Sequence, residues 1–403
     1  MQPNSPAKPL LWSTLAAQFS EQIALAAGPI AVVVMLGGGA TDTGFVQMVQ
    51  TLPFLLLSLP VGVLVDRLSR RRLMIWAEVL RGATLGFIML ALATNLLTVP
   101  LLAALGFIGT VGTLIFSVAA PALLPMIVRP TELPVVNRWL ELARGAAFVA
   151  GPPLGGVLIG WTGASLAFLV AMSASIGSLL LVSRLPEPAA VPRPRRHFLQ
   201  EVIEGCRFVA GDSLLLPIAA TASLFNVGWF ILQAVFVVFL INHLGADAAM
   251  VGLVFGVYGI GMIAGAFLAK PLAQYLPLGV LIAVGPLGGF IGSLLVLTSV
   301  AVPSLPLVGL AFFCFGCGPI LWTINTTSLR QVITPQPMLG RVSALLTLAT
   351  SGARPIGAGI GLLIASLSGP EACLMASAFC FLLQLLIILV SPAARLRDLP
   401  APV

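Results

Sequence analysis

Residues 62–72 read Gly62-Val63-Leu64-Val65-Asp66-Arg67-Leu68-Ser69-Arg70-Arg71-Arg72, a charged island between two apolar runs. The run before it, 43–65, holds no Lys, Arg, Asp or Glu; the run after it, 73–94, holds only Glu78 and Arg81. A helix needs roughly 20 apolar residues to cross a hydrocarbon layer of about 30 Å, and each flank is long enough. Charge is expensive at membrane depth, so the island lies in water at a membrane face. The two runs form a pair of membrane-crossing helices joined by a polar loop.

The same pattern repeats along the chain. Polar clusters, Gly and Pro cut it into twelve spans, roughly 11–37, 43–65, 73–94, 98–128, 139–160, 164–185, 214–241, 248–269, 278–299, 305–329, 342–366 and 372–391. Of the 403 residues 59% are hydrophobic and 8% charged. A soluble domain carries about 25% charged residues, so this surface must face lipid. The mean hydropathy of +1.10 agrees. The runs lack the apolar–polar alternation of a membrane barrel. The expected fold is an all-α membrane protein.

Connections are short except 186–213, which carries Pro186, Pro188, Pro192 and Pro194, then Arg193, Arg195 and Arg196. It continues into an amphipathic segment, Phe198 to Val209, suited to the interface. This stretch is the expected cytoplasmic linker between an N-terminal six-helix bundle, 1–185, and a C-terminal one, 214–403. Apart from Arg81, Arg144 and Arg354, every Lys and Arg falls at a terminus or an even-numbered connection. By the positive-inside rule both termini are cytoplasmic. Lys8 precedes the first run without a small-residue cleavage site, which reads as a first span rather than a removed leader.

A shift of 203 residues superposes Gly62 on Gly265, Gly82 on Gly285, Gly86 on Gly289, Gly106 on Gly309, Arg138 on Arg341, Pro152 on Pro355 and Gly156 on Gly359. Duplicated bundles are common in transporters, with the substrate path between them. The five cysteines lie in or beside apolar runs and suggest neither a disulfide framework nor a metal site. Cys314 and Cys317 read as small apolar residues within a helix. His197 and His243 fall in connections on opposite sides, and no phosphate-binding loop occurs. The sequence therefore offers no catalytic cluster, no cofactor and no nucleic-acid surface.

The island resembles the loop between helices 2 and 3 of the major facilitator superfamily, G-x-L-x-D-R-x-G-R-R, with Gly62, Asp66, Arg67 and Arg70 at its key positions. Gly151-Pro152-Pro153-Leu154-Gly155-Gly156 resembles the Gly-Pro motif of the superfamily's exporters. Ser20-Glu21-Gln22-Ile23, Thr51-Leu52-Pro53 and Ala77-Glu78-Val79-Leu80-Arg81 are similar to the branch of macrolide efflux proteins and the enterobactin exporter. The resemblance implies twelve helices in two homologous bundles around a central cavity. It also implies a latch in which Asp66 meets a helix N-terminus and pairs with Arg70. Arg71 and Arg72 are expected only to set topology. The sequence departs at Ser69, where the loop's usual Gly would allow left-handed backbone. The fourth span, around Gly106-Phe107-Ile108-Gly109-Thr110, lacks the buried arginine of many proton-coupled exporters.

Charges inside spans are functional candidates. Glu78 with Arg81, and Glu141 with Arg144, stand three apart and can pair on one helix face, as structural ion pairs or substrate contacts. Glu21 and Arg354 lie near mid-span without such neighbours. Glu21 shares a face with Gln18 and Gln22 and is the proton-coupling candidate; its alternative is a buried acid tied into a helix–helix hydrogen bond. Arg354 either neutralises it or meets an anionic substrate. In the superfamily helices 1, 4, 7 and 10 line the cavity. Here that selects Thr110, Thr113 and Ser117, then Asn226, Trp229, Phe230 and Gln233, then Trp322, Asn325 and Thr326. Each of these has packing as its alternative. Aromatics mixed with amides suit a partly apolar solute.

The function expected is a proton-coupled antiporter, exporting a small amphipathic drug or siderophore by alternating access, as a monomer in a bacterial inner membrane. A metabolite importer or facilitator of the same fold is the alternative. An integral membrane enzyme lacks its chemistry.

Overall fold

In hydrocarbon a backbone N–H or C=O must find its partner inside its own segment, and the apolar runs accordingly fold as α-helices. The computed structural model describes residues 7–128, 133–187, 198–335 and 338–400. The helices are α1 (Ala7–Val34), α2 (Ala40–Leu56), α3 (Ser58–Arg67), α4 (Arg70–Ala93), α5 (Val99–Ile127), α6 (Leu133–Thr162) and α7 (Ala164–Val182). They continue as α8 (Phe198–Gly211), α9 (Leu215–Val238), α10 (Ala248–Leu272), α11 (Leu278–Ala301), α12 (Leu305–Ile333) and α13 (Leu339–Val390). No strand occurs among the described residues. The chain is an all-α, multi-pass membrane protein.

Ten helical stretches among the described residues are long and apolar enough to cross a membrane, where the sequence predicts twelve spans. The difference arises at two places. The run 43–65 is divided at Leu57 into α2 and α3, just after Pro53, and neither piece is long enough alone. The last two runs are merged in α13, which contains one non-helical residue, Gly369, at φ 84° and ψ 177°.

The chain forms two compact units. The first comprises Met1–Arg193 with Gly245–Gly256; the second comprises Pro194–Leu244 with Val257–Val403. The first two turns of α10 thus group with the N-terminal helices. In the first unit α1 packs on α6 and α7, and α4 packs on α5 and α7. In the second, α9 packs on α13, and α11 packs on α12 and α13. The loops repeat as well. Gly37 and Gly245 follow the first helix of each series at φ 63° and 65°. Gly163 and Gly369 precede the last at φ 79° and 84°. L side chains rarely adopt these angles, so glycine is required at matching turns of both series.

Each unit has its own core, with Leu10, Met74, Phe116 and Leu123 in the first and Leu215, Ile282, Leu329 and Ile388 in the second. Large apolar side chains such as Trp76, Phe267 and Leu367 stand outward, as a lipid-facing surface requires. Helix α8 lies against α13 and α9; Val209 is buried while Glu204 and Arg207 are exposed. Residues 188–197 of the expected linker lie outside the described residues.

Candidate functional site

Within the second unit α9, α10, α11, α12 and α13 enclose a cavity of about 350 Å³. Helical spacing brings its residues round. Helix α9 presents Thr221, Phe225 and Asn226; α12 presents Trp322, Thr323, Thr326 and Arg330; α13 presents Thr347, Thr350 and Arg354. Tyr258 and Gln384 complete the polar lining. Glycine makes room: a β-carbon at Gly285 would lie 2.3 Å from Cβ of Trp322, so the indole rests over bare backbone.

The lining is rich in donors. Among the described residues it holds Arg330 and Arg354 and no Asp or Glu. Buried polar atoms normally have partners. Yet Trp322 Nε1, Arg330 Nε, Gln384 Nε2 and Thr221 Oγ1 are buried without a hydrogen bond among the described residues. Gln384 and Thr221 are each 1% exposed. Other groups turn to their own helix. Asn226 Nδ2 donates to the Ala222 carbonyl at 2.9 Å, and Thr326 Oγ1 to that of Trp322 at 2.8 Å. Thr323 Oγ1 and Thr350 Oγ1 do likewise, to the carbonyls of Pro319 at 2.8 Å and Leu346 at 2.9 Å.

Aromatic rings back the cavity. Phe225 stacks on Trp229 with centroids 6.2 Å apart, and Trp229 lies 5.2 Å from Tyr258. Behind them Phe312 and Phe315 complete the cluster. Trp229 is thus part of the wall's support rather than its surface. The Arg354 guanidinium carbon sits 6.0 Å from the Phe230 ring centroid, within cation–π range. Asn325 lies off the lining and donates to the Leu321 carbonyl at 2.7 Å; Gln233, farther along α9, is half-buried.

Of the cavity residues, Asn226, Trp322, Thr326 and Arg354 are selected by sequence; Thr221, Tyr258, Arg330, Thr347, Thr350 and Gln384 are not. Arg330 reads as a loop cation from sequence but lies within α12. The threonines had a signal: Thr347 and Thr350 stand seven and four residues before Arg354, on its own helix face.

In the first unit Glu21 is half-buried on α1 and accepts from Gln18 Nε2 at 3.3 Å. Gln22 is buried against α6, where a β-carbon at Gly151 would meet its Cβ at 2.5 Å. Thr113 is buried, Thr110 half-buried, and exposed Ser117 donates to the Leu114 carbonyl at 2.9 Å.

The Gly-Pro motif is a two-sided packing face. Gly151 and Gly155 face Gln22, Ile23 and Ala26 of α1. Pro152 and Gly156 face α10: a β-carbon at Gly156 would lie 2.6 Å from the Ala248 carbonyl oxygen and 2.7 Å from Cα of Gly252.

Glu78 and Arg81 form a buried ion pair. The carboxylate also accepts from Ser175 Oγ at 2.7 Å and Ser178 Oγ at 3.0 Å, while Arg81 lies 5.9 Å from the Phe116 ring centroid. Arg144 is half-buried. The side chains of Asp66 and Glu141 lie outside the described ones.

In the charged island Gly62 has open space where a β-carbon would stand, Arg67 is exposed and Arg70 is buried. Ser69 is not left-handed: at φ −60° and ψ 117° it is the N-cap of α4, its hydroxyl accepting from the Arg72 amide at 3.3 Å. Nor are Arg71 and Arg72 mere topology signals. They pair with Glu187 at 3.5 and 3.0 Å, and Arg71 also donates to the Ser183 carbonyl. A hydrogen bond from Ser69 holds the Glu187 carboxyl below its ordinary range; partial desolvation opposes this, and Arg72 and Arg71 reinforce it.

All five cysteines are free, and no group of three potential metal ligands occurs among the described residues.

The family model of the Major Facilitator Superfamily matches residues 10–358. The enterobactin exporter EntS of Citrobacter koseri is 29% identical over 348 residues, covering 85% of this chain and 81% of that one. Among solved structures, a bacterial homologue of the iron transporter ferroportin in an inward-facing state has a TM-score of 0.74 at 17% identity, covering 95% and 98% of the two chains. A POT family transporter in complex with a thioalcohol-conjugated peptide has a TM-score of 0.75 at 12% identity, covering 96% of each.

Proposed function

The chain belongs to the Major Facilitator Superfamily and is a transport protein rather than an enzyme; on that premise we propose that it is a proton-coupled exporter of a small amphipathic compound, working by alternating access. The observation that carries this reading is the second unit's cavity, in which aromatic walls meet buried polar atoms lacking partners. Such a site pairs apolar contact with a few orienting groups, as small-molecule sites do. Export is the direction of the relatives that match over 85% of the chain.

Each part has a place in the cycle. Glu21 takes up and releases the coupling proton, with Gln18 beside it. Asp66 and Arg70 latch the cytoplasmic side while the substrate path opens outward. The protein acts as a monomer in a bacterial inner membrane, with both termini in the cytoplasm.

The test is a resistance and accumulation screen in cells expressing the protein, with and without an uncoupler. Lower accumulation that the uncoupler abolishes supports the reading. Transport indifferent to the proton gradient points instead to a facilitator.

A further inference from the structure

We infer that the cavity of the second unit receives an anionic aromatic solute, an aryl acid with acceptor groups at more than one point. The inference rests on the transport reading and narrows its substrate class.

Charge comes first. Among the described residues the lining carries Arg330 and Arg354 and no carboxylate, so a cationic solute would meet guanidinium with no acid beside it. The Arg330 Nε is buried without a hydrogen-bond partner among the described residues. A half-buried cation without an anion is costly, and a ligand carboxylate or phenolate supplies what is missing.

Hydrogen bonding agrees. Trp322 Nε1, Arg330 Nε and Gln384 Nε2 can only donate, and all three are buried without an acceptor. A polyol would bring as many donors as acceptors, whereas an acid brings acceptors alone. Trp322 and Arg330 are eight residues apart on α12, roughly 12 Å along the axis, so one carboxylate cannot serve both. A solute with separated acceptors can. Phe225 and Tyr258 supply aromatic contact for its ring, and the volume of about 350 Å³ leaves room for a fused bicycle.

Calorimetry on the full chain in lipid nanodiscs tests this, with empty nanodiscs subtracted. The probes are naphthalene-2,6-dicarboxylate, naphthalene-2-carboxylate and neutral naphthalene-2-methanol. The expected order is diacid tightest, monoacid weaker, alcohol weakest. Arg330→Gln should weaken the diacid roughly tenfold or more, and Trp322→Phe, which keeps a ring but removes the donor, should weaken it by a smaller factor. Alcohol binding as tight as the acids overturns the inference in the wild type, whether or not the variants fold. Folded variants that bind the diacid unchanged overturn it too. The two readings fail separately. Proton-driven export of uncharged compounds without acid binding sinks this inference alone. Arginine-dependent acid binding without gradient-driven transport sinks the transport reading alone.

Discussion

Ser175 Oγ donates to Glu78 Oε2 at 2.7 Å, joining α7 to α4 across 97 residues of chain. With Ser178 and Arg81 it satisfies a carboxylate that is almost wholly buried. A carboxylate shared by two helices fixes their register, and each bond removed leaves buried charge less compensated. Ser175→Ala and Ser178→Ala should each cost about 1–3 kcal/mol. Glu78→Gln should cost more, about 3–5 kcal/mol, because it strands Arg81. Unfolding of the purified variants in detergent checks both. Equal stability for Glu78→Gln and wild type would remove the cluster's structural role.

Ser69 and Glu187 set a pH dependence at the water-facing end of α4 and α7. The Glu187 carboxyl sits below its ordinary range through the Ser69 hydrogen bond and the two arginines. A lowered pKa means that the clasp is fully formed above the ordinary carboxylate value and is lost as pH falls through the lowered one. Ser69→Gly, which restores the glycine usual in this loop, should raise the Glu187 pKa and move the loss to higher pH. Carboxylate-resolved NMR titration reads it directly; an unchanged Glu187 titration would contradict the assignment.

Gly156 and Gly62 should respond oppositely to a methyl group. At Gly156 the added carbon would run into backbone of Ala248 and Gly252, which cannot move aside alone. Gly156→Ala should destabilise the first unit by about 1–3 kcal/mol. At Gly62 nothing lies within 4 Å, and Gly62→Ala should unfold like the wild type. Paired thermal melts decide, and a destabilised Gly62→Ala would show that the space is occupied.

Much of this was legible in the sequence because lipid imposes a simple rule on composition. The charged island placed a loop between membrane helices, and the three-residue spacing of Glu78 and Arg81 implied their contact. Distant partners were not legible: nothing local to Glu78 points to Ser175 or Ser178. Arg330 was hidden because a cation near a helix end reads as a topology signal, and only the fold shows it turned into a cavity. Gln384 was hidden by its helix, one that the family resemblance does not place on the cavity. Ser69 misled because the loop's usual glycine implied backbone freedom, whereas the serine caps a helix.

The central claim is that proton movement drives export, with Glu21 as the carrier. The direct measurement uses proteoliposomes with an imposed pH gradient and a substrate identified by the accumulation screen, comparing wild type with Glu21→Gln. The glutamine holds the position in a permanently uncharged form. The account predicts that the wild type concentrates substrate against its gradient only while the pH gradient lasts. Glu21→Gln should bind the substrate and exchange it across the membrane but never concentrate it. Uphill transport by Glu21→Gln, or by the wild type after an uncoupler has collapsed the gradient, would contradict it.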